Sequence, residues 1–221
     1  ENTLHPLSLL GEKRMVEKTK KEQKVKFSYP YIKINGQKFK LCPDIKPARS
    51  SKPINKDLLP YNIRQLKKSL KISGQPTLLD KTGGSGLAGA VKLVQAKLNY
   101  LHLHAEEFIK FFGSGEGLTP TWDDFFAGML LTDRISGKNI IINDRKFFSK
   151  IKRQTTTTSY WQLKFAEKGK FALQFEKLVH KMLAEKTKAA DFITPLTSGH
   201  SSGTDICRGI LLYLETELNK S

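Results

Sequence analysis

Two aspartates, Asp124 and Asp205, each stand four residues ahead of a glycine, Gly128 and Gly209, and each follows a loop rich in glycine and hydroxyl residues. The first segment runs Gly113-Ser-Gly-Glu-Gly-Leu-Thr-Pro-Thr-Trp-Asp-Asp-Phe-Phe-Ala-Gly128. The second, Gly199-His-Ser-Ser-Gly-Thr-Asp-Ile-Cys-Arg-Gly209, echoes that layout. Both lead into apolar residues at helical spacing, which predicts two helix starts of one design. A helix start presents unpaired backbone N–H groups and the positive end of the helix dipole, and so attracts hydroxyl caps, carboxylates and bound anions. Thr119 is the expected N-cap of the first helix with Pro120 at its first position; Ser201 or Ser202 is the expected cap of the second. Gly113, Gly115 and Gly117 permit positive φ and close approach of a ligand to the main chain. Together the two loops would cradle a phosphate or carboxylate. The expected ligand-binding residues are Gly115, Gly117, Thr119, Asp123, Ser201, Ser202 and Gly203.

The same residues also have an architectural reading. Hydroxyl caps with early aspartates are ordinary at helix starts, and Gly128 and Gly209 would serve equally to let two helices approach closely. Neither loop is a Walker loop, and Gly83-Gly84-Ser85-Gly86 lacks the lysine that would reach a phosphate. Asp123 and Asp124 lie about 100° apart on a helix, so they cannot both face one small ligand. Asp205, from the equivalent helix, would complete a carboxylate pair with one of them. Carboxylates and waters are the ligands Mg²⁺ prefers, but the spacing identifies no third oxygen, so the metal content stays open.

At these residues the chain resembles the AllH family, through Gly-Leu-Thr-Pro-x-x-Asp-Asp-Phe-x-x-Gly and Gly-His-x-Ser-Gly-x-Asp-x-x-x-Gly. The resemblance is specific over about 112–131 and 194–212, looser over 154–169, and slight before residue 80. It implies a subunit of an oxamate carbamoyltransferase, which moves a carbamoyl group between oxamate and phosphate alongside larger subunits resembling AllF and AllG. It also implies a small anion such as carbamoyl phosphate or phosphate as ligand, and no cofactor. On that footing His200, Asp124 and Asp205 are the candidate catalytic residues: His200 to donate a proton or hydrogen bond to a carbamoyl oxygen, the aspartates to orient groups or a metal. His200 has a loop-stabilising hydrogen bond as its plainer role. Two positions depart from the family pattern. Glu116 stands where a proline is usual, and Trp122 where a glycine is usual. A carboxylate at 116 would oppose a phosphate and an indole at 122 would fill open space, so a non-catalytic binding or assembly protein with an altered ligand site is the alternative.

Other residues carry less. His102 and His104 are two apart, a spacing that points them in different directions on a helix. Cys207 near a helix start would have a lowered thiol pKa, unless it is simply a small buried residue. With Cys42 as its only companion, it shows no zinc spacing, and a disulfide framework is not expected. Thr155 to Ser159, rich in hydroxyls, would add a third set of anion donors or simple caps.

A chain of 221 residues with 38% hydrophobic content can bury a core. The net charge of +17 concentrates in lysines 13–26 and 33–71. Such a surface keeps a protein soluble, docks an acidic partner or binds nucleic acid; no reading motif accompanies it, so a protein partner or solubility is expected ahead of nucleic acid. No apolar run reaches membrane-spanning length and the opening 26 residues are too charged for a signal core, so no membrane association and a cytoplasmic location are expected. Residues 24–41 alternate about Asn35-Gly36, predicting a hairpin. Helices are predicted over 58–72, 87–112, 121–135, 161–184 with an interruption near Gly169, and 202–218. The expected fold class is α+β: a basic, β-rich region over 1–80 with one helix, then a mainly α-helical region over 81–221 carrying both motifs.

Overall fold

The computed structural model describes residues 53–221 apart from 81–85, 101, 145 and 221, and ahead of these the backbone of three short strands. The chain divides into two compact units, Glu1–Pro47 and Ala48–Ser221. In the first unit β1 (Val25–Ser28), β2 (Tyr31–Ile34) and β3 (Gln37–Lys40) pair antiparallel, with Ile34 opposite Gln37. Their side chains, and the lysine-rich stretches around them, lie outside the described residues.

The second unit is helical. It comprises α1 (Leu59–Ser73), α2 (Leu87–Tyr100), α3 (Thr121–Ser136), α4 (Phe147–Ile151), α5 (Thr157–Ala166), α6 (Leu173–Ala184), α7 (Ala190–Leu196) and α8 (Ser202–Asn219). Its only described strands are β4 (Leu103–His104) and β5 (Ile141–Ile142), a two-residue parallel pair. This corrects the expected α+β class to a mainly helical one, and α1, read as belonging to a 1–80 region, falls in the helical unit. The alternation over 24–41 is a local pairing signal. Fold class follows from what closes the core, and from Leu59 onward apolar residues recur at three and four spacing and bury helix against helix.

The predicted 87–112 helix stops at Tyr100. The chain then extends through β4 to pair with β5, and continues as a 3₁₀ stretch, Ala105–Phe111. His102 and His104 are therefore on extended backbone, both exposed, instead of on a helix. The 161–184 helix is broken into α5 and α6 at Gly169, whose φ of +65° is the left-handed conformation a helix cannot continue through.

α3 lies at the centre. All but one of its residues are buried, polar ones included, because its sequence is apolar around its whole circumference. α8, α5 and α6 pack around it, and α1 reaches α8 and α6. α1 buries Leu59, Ile63 and Leu66 on one stripe. On the same face buried Asn62 donates to Met182 O and Glu185 O and accepts from the amide and hydroxyl of Thr187. One side chain thus satisfies the backbone where α6 ends.

Candidate functional site

The helices that follow the two motif loops, α3 and α8, make the most extensive helix contact among the described elements. Thr119 and Ser202 share a hydrogen bond, Oγ1 to Oγ, of 2.7 Å at one end. Further along, a β-carbon added at Gly128 would lie 2.1 Å from Ile206 O, and one at Gly209 would lie 1.9 Å from Phe125 O. At the far end Tyr213 donates to Asp133 Oδ1 at 2.8 Å. From the Thr119–Ser202 end to the Asp133–Tyr213 end the contacts advance along both chains, crossing at the two glycines between, so the helices run in the same direction with their first turns side by side.

The seam is reciprocal. Gly128 meets the carbonyl of the residue after Asp205, and Gly209 meets the carbonyl of the residue after Asp124. Ser202 on α8 faces Asp124, while Thr121 on α3 faces Asp205. Thr121 and Ser202 each stand three residues before their own helix's aspartate. The echo in sequence is thus a local twofold relation in space. Both glycines allow the close approach that the architectural reading expected.

Within this junction the aspartates differ. Asp123 accepts the Gly113 amide at 2.9 Å and the hydroxyl of Thr155. Burial raises its pKa against those lowering bonds. Asp124 and Asp205 are 0% and 1% exposed, and none of their four carboxylate oxygens has a hydrogen-bond partner. The hydroxyls of Ser202 and Thr119 near Asp124, and of Thr77 and Thr121 near Asp205, ease the burial without completing a hydrogen bond. Burial first, then the charges of Asp205 and Asp123, hold Asp124 well above the usual carboxylate range. Burial pushes Asp205 up to about 7, with Arg208 opposing it.

The first loop is held by the chain around it. Gly113, Gly115 and Gly117 have φ of +81°, +129° and +86°. Gly113 and Gly115 pack directly on backbone, whereas nothing lies within 4 Å of a β-carbon at Gly117. The helix start itself departs from expectation: Pro120, not Thr119, takes the N-cap position of α3, and no side chain caps it. Pro120 is extended, with ψ of 145°, so helical backbone begins one residue later, and Thr119 turns its hydroxyl to Ser202 instead. The Trp122 amide donates to Ser114 O. Ser201 does hold the N-cap position of α8 but makes no side-chain cap, and Gly203 N–H goes to Ser198 O. One amide of each helix start is thereby used by its own loop, which leaves the hydroxyls a larger share in any anion cradle. Thr156 caps α5 by accepting from Ser159 N and donates to Leu118 O at 2.5 Å, so the 154–159 segment braces the loop from outside.

A family model described as Oxamate carbamoyltransferase subunit AllH matches residues 111–214. Over these residues the chain is similar to the AllH family. The matched stretch takes in both motif loops, α3 to α7, and α8 as far as Leu214. No solved structure matches the chain.

Against this AllH framework the expected site residues divide. Thr119, Ser202, Asp124 and Asp205 come together, with Asp123 beside them. Ser201 and Gly203 lie at the start of α8, and Gly115 and Gly117 in the facing loop. His200 is exposed on the second loop, and no contact draws it to the aspartates. Trp122 is fully buried among Phe108, Phe111 and Phe125, with ring centroids 5.1–6.0 Å away. It therefore fills core. Glu116 is exposed. Cys207 is buried, which pushes its thiol up and not down, as fits a small buried residue. Thr121 and Thr77 were not foreseen; the signal for Thr121 was its position matching Ser202 in the echo.

Among the described residues no three His, Cys, Asp or Glu side chains gather as a metal-binding group, and no helix is long and apolar enough to cross a membrane.

Proposed function

We propose that this chain is a subunit of an oxamate carbamoyltransferase-type complex, with partner subunits resembling AllF and AllG, and that a small anion such as carbamoyl phosphate or phosphate sits where the α3 and α8 starts converge. The observation that supports it is the Thr119–Ser202 hydrogen bond, which brings the two motif loops into one place. Two parallel helix starts add their positive ends, and the hydroxyls of Thr119, Ser201 and Ser202 supply donors to negative oxygens. Carbamoyl transfer needs such preorganised donors where charge develops on the carbonyl and phosphate oxygens. His200, on the rim of the second loop, is the proton carrier, reaching the ligand from the solvent side. The alternative of a blocked, non-catalytic relative loses its main support, since Trp122 faces the core.

Calorimetric titration with phosphate and with carbamoyl phosphate tests the reading. Binding that weakens roughly tenfold in Ser202→Ala and in Thr119→Val upholds it. Absence of binding, or binding indifferent to both substitutions, refutes it.

A further inference from the structure

We propose that Asp124 and Asp205 together hold a divalent cation of the Mg²⁺ class between the first turns of α3 and α8, where it meets the oxygens of the bound anion. The anion's presence there rests on the proposed function; the cation site rests on the carboxylates themselves.

Four orphaned oxygens carry the inference. Both carboxylates are buried as deeply as core residues, at 0% and 1% exposed, and none of their oxygens has a hydrogen-bond partner. This is not how the chain treats its other buried acids. Asp123 has the Gly113 amide and the Thr155 hydroxyl. Asp133 has the amides of Ile140 and Ile141, the Tyr213 hydroxyl and Arg134. Among the described buried acids, missing partners are confined to the two aspartates that head the matching Asp-x-x-x-Gly segments. Buried carboxylates require opposite charge or donors; here four hydroxyls lie near without completing a hydrogen bond, and the charge of Arg208 acts on Asp205 alone. Arg208, one turn beyond Thr204, has its guanidinium engaged by Asp80 at 2.6 and 2.8 Å.

The chemistry of the surroundings selects the ion. The neighbouring hydrogen-bonding groups are oxygens: the hydroxyls of Thr119 and Ser202 beside Asp124, and of Thr77 and Thr121 beside Asp205. An all-oxygen set suits a hard cation. Two carboxylates do not close a cage, but Mg²⁺ keeps waters and is commonly held by one or two carboxylates together with ligand phosphate oxygens. The backbone seam at Gly128 and Gly209 fixes the helices that carry both groups, so the pair is preorganised.

Mn²⁺ serves as the probe, its binding read by electron paramagnetic resonance on the purified chain, with and without inorganic phosphate. The expected result is Mn²⁺ binding strengthened by phosphate, displaced by Mg²⁺, and weakened roughly tenfold or more in Asp124→Asn and in Asp205→Asn. Asp144→Asn, at an exposed carboxylate, should bind Mn²⁺ as the parent does. Circular dichroism establishes folding; should Asp124→Asn fail to fold, Asp205→Asn decides alone. No Mn²⁺ binding under either condition, or binding unchanged in the folded Asn variants, overturns the proposal. Phosphate binding that needs Ser202 but ignores Mn²⁺ sinks the cation and leaves the anion reading standing. Mn²⁺ binding that needs Asp124 and Asp205 but ignores phosphate does the reverse.

Discussion

Replacing Gly209 by alanine tests whether backbone contact sets the spacing of α3 and α8. The new β-carbon would lie 1.9 Å from Phe125 O, 2.9 Å from Phe125 C and 3.0 Å from Met129 N, all main-chain atoms that cannot rotate aside. Carbon–oxygen contact becomes tolerable at about 3.3 Å, so the helices must part by roughly 1 Å. A gap of that size forfeits about a quarter to a half of the dispersion attraction across the seam. Alanine for glycine in a free helix would add about 1 kcal/mol. Overpacking costs about 1–3 kcal/mol, and more where nothing yields. With the lost seam contacts the net is a destabilisation of about 2–4 kcal/mol, or a fall in Tm of roughly 5–12 °C for a chain of this size. Gly128→Ala should match it, because its contact with Ile206 O is the mirror of the first. The double variant should cost less than the sum, since one substitution opens the seam the other needs. Thermal and urea unfolding give the numbers. A neutral or stabilised single variant would refute the argument that the seam is limited by backbone contact, and with it the fixed placement of the two aspartates.

Trp122→Gly, although it restores the residue usual in the family, should destabilise by about 3–5 kcal/mol, because it empties an aromatic cluster; calorimetry showing an unchanged Tm would contradict that. Asn62→Ala should cost about 3 kcal/mol or more by leaving the Thr187 amide and two carbonyls unpaired, and proteolysis should then cut first near residue 186. In metal-free buffer, Asp205 shapes the pH dependence. Its folded pKa of about 7 lies above the ordinary 3.8, so its contribution is most favourable below pH 3.8 and is lost as pH rises towards 7, a difference on the order of 4 kcal/mol. Asp205→Asn should flatten that slope and gain stability at pH 7; urea unfolding between pH 4 and 8 showing the same slope in both proteins would exclude it.

Much of the motif helices was legible because their signals are local. Glycine, hydroxyl and proline mark where α3 and α8 begin, and their apolar runs give the lengths to within a residue. That the two motif loops meet was expected from the echo; the Thr119–Ser202 hydrogen bond was not. What a residue's type could not disclose was its direction. A threonine before proline reads as a cap, yet the extended Pro120 moves the helix start and turns Thr119 outward to its partner. Trp122 in a ligand motif reads as an obstruction, yet Phe108 and Phe111, from a segment expected to be helical, close over it. The helix stops short of that segment because Leu103 and His104 pair with β5, some forty residues on, a distance periodicity does not reach. Asn62 looked like one more polar position on an amphipathic helix. The expected catalytic roles of His200, Asp124 and Asp205 stay with the proposal, as types and spacing name chemical capacity, not the molecule it acts on.

The contact of glycine with carbonyl between α3 and α8 also has a mechanical meaning. Helices that meet through long side chains can shift by changing rotamers, whereas main chain resting on main chain has almost no compliance. The spacing of the two first turns is therefore fixed, and the ligand site proposed between them would behave as a fixed jaw. Its width comes from atoms every residue shares, so side-chain substitution can widen it by wedging but cannot narrow it. Adaptation to a larger or smaller molecule in this lineage would have to come from the flanking loops at 113–119 and 199–201, whose lengths can change while the jaw keeps its gauge.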